Sequence, residues 1–375
     1  MPVRWPRRRM DLTSTRAAAI RDITPLGSSA QAGRQPAADL EDRALRLGAI
    51  IEWADDLATF RQAVRLADEL GFDIIGVGDS PARAYEMYVS LTVAAQESRR
   101  AILTPMVTTP FFRHPAATAT AVSTLYDLTG GRAMLALGNG GSVRRIVGRS
   151  PVASPRELRD YLVAVRAVLD GDSARVDGFD TEPLTRTRSM PVFVAADYPS
   201  TLRLAGELAD GVVTTVGTSA ERVARKVEVI RRAAEEAGRD PASVQVWGFS
   251  FVSVAGTREE ATGEIGAALA SDVALRLKSR HMRSQVPADL LPAVAEMERR
   301  YDVWDHTVGG KNAQLLEELG LVDLALSMTG VTGDVTQVAD HLETLSEAGL
   351  TGLFAALPPL ADPLRTLRGL RAAAG

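Results

Sequence analysis

The chain has 375 residues, 46% of them hydrophobic and 24% charged, with a formal net charge of −4. That mix can bury a sizeable core, which excludes a disordered or fibrous chain, and the acidic balance argues against nucleic acid as the main partner. Zero cysteines exclude disulfides, thiolate metal sites and cysteine nucleophiles, and no apolar run approaches the ~20 residues of a membrane span.

Residues 1–45 are a different material. They carry Arg4, Arg7, Arg8 and Arg9, then Pro25, Gly27, Ser28, Ser29, Gly33 and Pro36, with no sustained period. A flexible N-terminal extension is the expectation; a basic arm touching a partner is the alternative. A signal peptide needs an apolar stretch after its charged start, and none follows, so a cytoplasmic protein is expected.

From residue 46 onward the pattern predicts one folded domain. Residues 47–51 form the first short apolar run. A helix over 57–70 follows, with Phe60, Val64, Ala67 and Leu70 at helical spacing and Gly71 as its stop. A strand over 73–77 closes on Gly78-Asp79-Ser80-Pro81, and a helix over 85–96 leads to a strand over 102–107. Pro115 suits the first position of a helix that ends near Asp127. Then come a strand at 133–137, a helix at 158–169, a strand at 192–195 and a helix at 199–209. A strand at 211–214, a helix at 220–237, a strand at 244–254 and a long helical stretch follow. The chain closes with a helix at 335–348, a strand at 352–356 and a helix at 363–373.

Strict alternation predicts a parallel sheet with helices outside, and eight strands predict an α/β fold of the closed (β/α)8 TIM-barrel type. Two intervals, 138–191 and 254–331, exceed a bare unit and are expected to be insertions, largely helical, at the C-terminal face. Barrel chemistry sits at the C-terminal strand ends. The search therefore narrows to Glu52, Gly78-Asp79-Ser80, Met106-Val107-Thr108, Gly138-Asn139-Gly140, Ala195-Ala196-Asp197-Tyr198-Pro199, Thr214-Thr215 and Ser253.

Each of these has an ordinary reading beside a functional one. Gly138-Asn139-Gly140-Gly141 fails the dinucleotide pattern, because the third glycine would fall at Val143. The glycines could admit a flat ring or simply make a turn. Free N–H groups where 199–209 begins would favour a phosphate, whereas Asp197 would repel one and could cap the helix instead. Glu52 and Asp79 end the first two strands; each could donate a proton or anchor a ring nitrogen, or cap a helix. His114 precedes Pro115 and reads as a cap, while His281 and His341 read as surface residues. Tyr301, Trp304 and His306, with nearby acids and glycines, read as substrate-pocket lining or as a packed helix end. No metal is expected, and G-x-S-x-G, H-E-x-x-H and Walker patterns are absent.

The run Phe112-Arg113-His114-Pro115-Ala116, then Thr124-Leu125-Tyr126-Asp127-Leu128-Thr129-Gly130-Gly131-Arg132, then Ala136-Leu137-Gly138-Asn139-Gly140 resembles the bacterial luciferase-like monooxygenase superfamily. Pro191-Val192-Phe193-Val194-Ala195-Ala196 and Leu204-Ala205-Gly206-Glu207-Leu208-Ala209-Asp210-Gly211 resemble its phosphate-proximal strand and helix. Within the superfamily, Gly78-Asp79-Ser80 and residues 301–312 look closest to the coenzyme F420-dependent methylenetetrahydromethanopterin reductase-like branch.

The resemblance implies a luciferase-like barrel domain over 46–375, carrying coenzyme F420, or alternatively FMN, across its mouth. It maps a non-prolyl cis peptide to Met106-Val107, with Ser80 and Thr108 nearby, and the ring and ribityl contacts to Gly138, Asn139 and Gly140. The phosphate end maps to Ala195, Ala196, Asp197, Tyr198 and Pro199. Asp79 maps to a ring-contacting acid and Glu52 to a proton donor. Ser80, Met106 and Asp197-Tyr198 depart from the usual His, Gly and Ser-Gly. The implied activity is hydride transfer between the deazaflavin C5 and a small organic substrate, by a dimer or larger homo-oligomer. The alternatives are an FMN-dependent monooxygenase and a barrel that has lost tight cofactor binding.

Overall fold

The computed structural model describes residues 45–375, apart from 55, 82–83, 142–151, 177–178, 306 and 358–361. The expected N-terminal extension lies, up to residue 44, outside the described residues. Nine parallel strands run β1 (Arg46–Ile50), β2 (Ile74–Val77), β3 (Ile102–Pro105), β4 (Leu135–Leu137), β5 (Val192–Ala195), β6 (Gly211–Thr215), β7 (Gln245–Val254), β8 (Gly330–Gly333) and β9 (Gly352–Ala356). Eight pair in the order β3-β2-β1-β9-β7-β6-β5-β4. Parallel bridges Leu103–Ala133 and Thr108–Leu137 join the two outer strands, so the sheet curls into a nearly closed barrel as expected.

The helices between them are α1 (Leu57–Glu69), α2 (Met87–Glu97), α3 (Pro115–Leu128), α4 (Pro155–Leu169), α5 (Pro199–Leu208) and α6 (Ala220–Glu236). After β7 come α7 (Arg258–Arg276), α8 (Arg280–Arg283), α9 (Leu291–Arg300), α10 (Lys311–Glu318) and α11 (Val322–Thr329), then α12 (Val335–Glu347) and α13 (Pro363–Ala373). Their starts follow the sequence chemistry. Asp56 and Asp362 accept the first-turn N–H groups of α1 and α13, and Ser154 and Glu157 form a reciprocal capping box on α4. Pro115, Pro155, Pro199 and Pro363 each open a helix, where a missing N–H costs nothing.

Three apolar clusters result. The largest lies between the strands and the outer helices. A second fills the barrel with Ile50, Ile74, Met106, Met134, Phe193, Val213, Trp247 and Phe354. Glycines on the strands make room for its rings: a Cβ on Gly211 would stand 2.5 Å from the Phe193 ring, and one on Gly352 would stand 2.7 Å from Trp247. The third cluster joins Leu269, Val273, Met297, Leu316 and Leu326 within the helices that follow β7, so that insertion has a core of its own.

Two features differ from the sequence reading. β8 was expected to be part of the insertion, but it pairs with Phe251–Val254 of β7 and leaves Gly352 and its neighbours to pair with the first half of that strand. The other long interval carries α4 and a two-residue hairpin, Arg175–Val176 against Phe179–Asp180, rather than helix alone.

Candidate active site

The barrel brings the ends of β1 to β6 onto one rim, and the loops beyond several of them fall on residues outside the described set. Glu52 follows β1. Its half-buried carboxylate lies against the backbone of Gly78, where a Cβ would come within 2.6 Å of Oε1. Gly78 is therefore what lets an acid lie across the end of β2. Among the described residues, no group hydrogen-bonds or ion-pairs with that carboxylate. Trp53 beside it stacks on Phe60 and packs against Tyr85, ring centroids 5.9 Å and 4.6 Å away.

Asp79 is buried and engaged through one oxygen. Its Oδ2 accepts from Thr108 Oγ1 at 2.7 Å and from Arg113 Nη1 at 2.6 Å. Arg113 also pairs with Glu86 at the start of α2, and its guanidinium lies over the Tyr88 ring, 4.9 Å from the centroid. Burial works to lower the Arg113 pKa, but the bonds to Asp79 and Glu86 outweigh it and hold it raised. The Tyr161 hydroxyl donates to the Arg113 carbonyl at 2.9 Å and shares a 2.6 Å bond with Thr118; burial pushes its pKa up to about 12. Burial likewise raises that of Tyr88. Asp79 is thus a charge-paired acid, whereas Glu52 has no partner among the described residues. Arg113 went unread because its partners lie 34 and 27 positions away.

The centre of the rim is apolar. The Met106-Val107 peptide is cis, at the position the resemblance implied. Met106 is buried in the barrel core, whereas Val107 and Ala195 are half-buried above it. Gly138 sits between them: a Cβ there would stand 2.5 Å from Val107 Cγ2 and 3.7 Å from Ala195 Cβ. Gly140 has φ +75°, and a Cβ there would strike the Phe111 ring. Packing inside the chain therefore already requires both glycines. Asn139, between them, is half-buried and accepts from Gly141 N–H at 3.2 Å. Val107 and Ala195, packed about Gly138 and followed in the chain by half-buried Asn139, make an apolar floor at the strand ends, and small apolar groups of this kind suit a flat ring. Ser80 is half-buried at its edge, where its carbonyl accepts from Ala84.

The end mapped to a phosphate differs most from expectation. Asp197 is not the cap of α5: Tyr198 holds that position, followed by exposed Pro199. Asp197 Oδ1 accepts from Thr214 Oγ1 at 3.0 Å, Thr215 N at 2.9 Å, Thr215 Oγ1 at 2.6 Å and Lys226 Nζ at 2.8 Å. Its Oδ2 accepts from Arg276 Nη2. Burial works to raise the Asp197 pKa, but Arg276 and Lys226 overcome it and hold it well below the usual range. Arg276 Nε also lies 3.4 Å from Asp272, whose pKa burial pushes up despite that neighbour. Ala196 is buried with its N–H on the Val213 carbonyl, and the Asp197 carboxylate already holds the side-chain donors there. The residues present fit a flat ring on the floor and do not fit a phosphoryl group at Asp197.

The remaining expectations divide. His114 Nδ1 accepts from Ala116 N–H at 3.2 Å and caps α3, and His281 is exposed, meeting the Tyr198 ring edge-on at 6.1 Å between centroids. His341, expected at the surface, is half-buried, which pushes its pKa down. Tyr301 packs on the insertion core, Trp304 is 85% exposed, and His306 lies outside the described residues. Trp304 lines a cavity of about 400 Å³ with Asp302, Asp305, Thr307, Gly310, Lys311 and Gln314, all from the insertion itself. No rim residue lines it. Among the described residues, no cluster of acids and histidines could hold a metal ion, and no helix is long and apolar enough to cross a membrane.

Comparison with known proteins agrees with the fold. The chain is 26% identical over 327 residues to 5,10-methylenetetrahydromethanopterin reductase of Archaeoglobus fulgidus, covering 85% of this chain and 96% of that protein. The structure of the coenzyme F420-dependent tetrahydromethanopterin reductase of Methanopyrus kandleri superposes with a TM-score of 0.73 at 22% identity, covering 87% of this chain and 97% of that one. The FMN complex of the oxygenating constituent of 3,6-diketocamphane monooxygenase from Pseudomonas putida superposes with a TM-score of 0.59 at 17% identity, covering 88% and 97%. The family model described as luciferase-like monooxygenase matches residues 27–352. The chain belongs to the luciferase-like monooxygenase family of oxidoreductases.

Proposed function

We propose that the chain binds coenzyme F420 with its deazaflavin ring on the floor of Val107, Gly138 and Ala195, and catalyses hydride transfer between that ring and a small organic substrate. The observation that carries this reading is the pair of half-buried apolar side chains, Val107 and Ala195, packed about Gly138 at the strand ends, with a carboxylate on the same rim, Glu52, that no described residue engages. Likeness to an F420-dependent glucose-6-phosphate dehydrogenase, 30% identical over 174 residues, supports the deazaflavin over FMN.

When bound, the deazaflavin supplies the hydride chemistry at its C5. The chain's own residues do the rest. Val107 and Ala195 present an apolar surface that excludes water from one ring face, and Asn139 offers an amide at its edge. Asp79, Thr108 and Arg113 are positioning residues: their mutual bonds lock the turns after β2 and β3 that frame the floor. Glu52, lying across Gly78 with no described donor on its carboxylate, is the group that gives or takes the substrate proton, whereas Asp79 is committed to its ion pair with Arg113.

Filling the floor tests this. Equilibrium titration with oxidised coenzyme F420 is expected to saturate in the wild type and to fail in Ala195→Phe, with the circular dichroism of the two proteins unchanged. Equal affinity in both would remove the ring from this floor.

A further inference from the structure

The donors around Asp197 are more than an ordinary salt bridge requires. Two hydroxyls, one backbone N–H, one ammonium and one guanidinium converge on a single carboxylate, and they come from β6, α6 and α7. Charge-assisted donors of this kind, arrayed about one small anion, are the set that a phosphoryl group takes. The positive charge is also in excess. Arg222, on the first turn of α6, interacts electrostatically with Asp197, Asp272 and Arg276, and among the described residues it has no hydrogen bond or ion pair. Three cations thus stand against two carboxylates.

We propose that Asp197 is a built-in anion: its carboxylate fills an oxyanion site made by Thr214, Thr215, Lys226 and Arg276, so the chain selects against a ring cofactor that brings a phosphomonoester to the ends of β5 and β6. The selection, though not the oxyanion site itself, rests on the ring-binding reading above. A phosphomonoester such as that of FMN carries nearly two charges at neutral pH and would need the donors that Asp197 holds. The phosphodiester of coenzyme F420 carries one charge and can lie outside the cluster. Asp197 is in this sense a specificity-determining residue. Its removal should turn an occupied site into a vacant one with three cations and no anion of its own beyond Asp272.

The test is thermal unfolding of the wild type, Asp197→Ser and Asp197→Asn in inorganic phosphate and in sodium chloride of matched ionic strength. An anion that binds only the folded variant raises its Tm by mass action. Phosphate is expected to raise the Tm of both variants by several degrees over chloride and to leave the wild type unmoved. If either variant fails to fold in chloride, refolding from urea in phosphate but not in chloride is the expected result. Variants that respond to phosphate no more than the wild type, or that refold equally in both salts, would overturn the oxyanion site. A second arm compares FMN with riboflavin, which lacks the phosphate. The wild type is expected to bind the two within about threefold, and Asp197→Ser to prefer FMN by about tenfold or more. A wild-type preference for FMN of that size would overturn the selection, whereas wild-type failure to bind any ring would count against the proposed function and leave the phosphate result standing.

Discussion

The Arg113 guanidinium donates to the Asp79 carboxylate at 2.6 Å, and with this bond the turn before α3 is tied to the end of β2. The Asp79 side chain is 7% exposed and that of Arg113 20% exposed, so little water competes for either charge. Removing one member of such a pair strands the other. Arg113→Ala is expected to cost about 3 kcal/mol of stability by urea unfolding, and Arg113→Lys somewhat less, because an ammonium cannot bridge Asp79 and Glu86 with a planar fork. A loss below about 1 kcal/mol for the alanine variant would show the pair to be solvated.

Glu52 lies on the same rim and has the opposite character. With no donor committed to it, its replacement should leave the scaffold intact and remove only proton transfer. Glu52→Gln is expected to lower kcat by about 10²- to 10⁴-fold while the cofactor Kd changes by less than about threefold. Steady-state kinetics together with a binding titration check this. Equal losses in kcat and affinity would make Glu52 a binding residue.

Packing at the floor gives a prediction independent of any ligand. A Cβ at Gly138 would stand 2.5 Å from Val107 Cγ2, so Gly138→Ala is expected to cost about 1–3 kcal/mol through overpacking. Val107→Ala removes the obstructing methyl, and in the double variant about 1 kcal/mol or more of that cost should return as a coupling energy. Strictly additive losses in the cycle would mean that the strain at Gly138 arises elsewhere.

Asp197 should leave a mark on the pH dependence of stability. Its folded pKa is depressed, so its contribution is fully present above the unfolded value of about 3.9 and is lost as the pH falls through the folded value. Asp272, pushed up by burial, acts in the other direction, its folded form gaining stability as the pH falls through its raised value. The informative quantity is therefore the difference between the wild type and Asp197→Asn, which removes the first effect and the part of the second that the Asp197 charge supplies. That difference is expected to reach about 3 kcal/mol near pH 6 and to shrink steadily below about pH 4. A difference that stays constant across this range would contradict the buried ion cluster.

Much of the fold was legible because its signals are local. Pro115, Pro199 and Pro363 marked helix starts, apolar runs between glycines marked strands, and β5 and β9 lie where the pattern set them. β8 escaped because four residues, Gly330-Val331-Thr332-Gly333, follow a helix directly and carry too short a pattern to show a period. The site was legible only as a set of strand ends. Which side chains meet there depends on pairings across the barrel, such as Asp197 with Arg276, 79 positions apart, and one sequence holds no signal for such pairs. Trp304, an aromatic among acids and glycines, reads like a pocket wall, and it lines a cavity, but one walled by residues of the insertion alone, with the residue 85% exposed.

The most direct test of the account is a fluorescence titration of the purified chain with coenzyme F420 and, separately, with FMN. Saturable binding of F420, about tenfold or more tighter than that of FMN, is the predicted result. Tighter binding of FMN, or no saturable binding of F420, would contradict it.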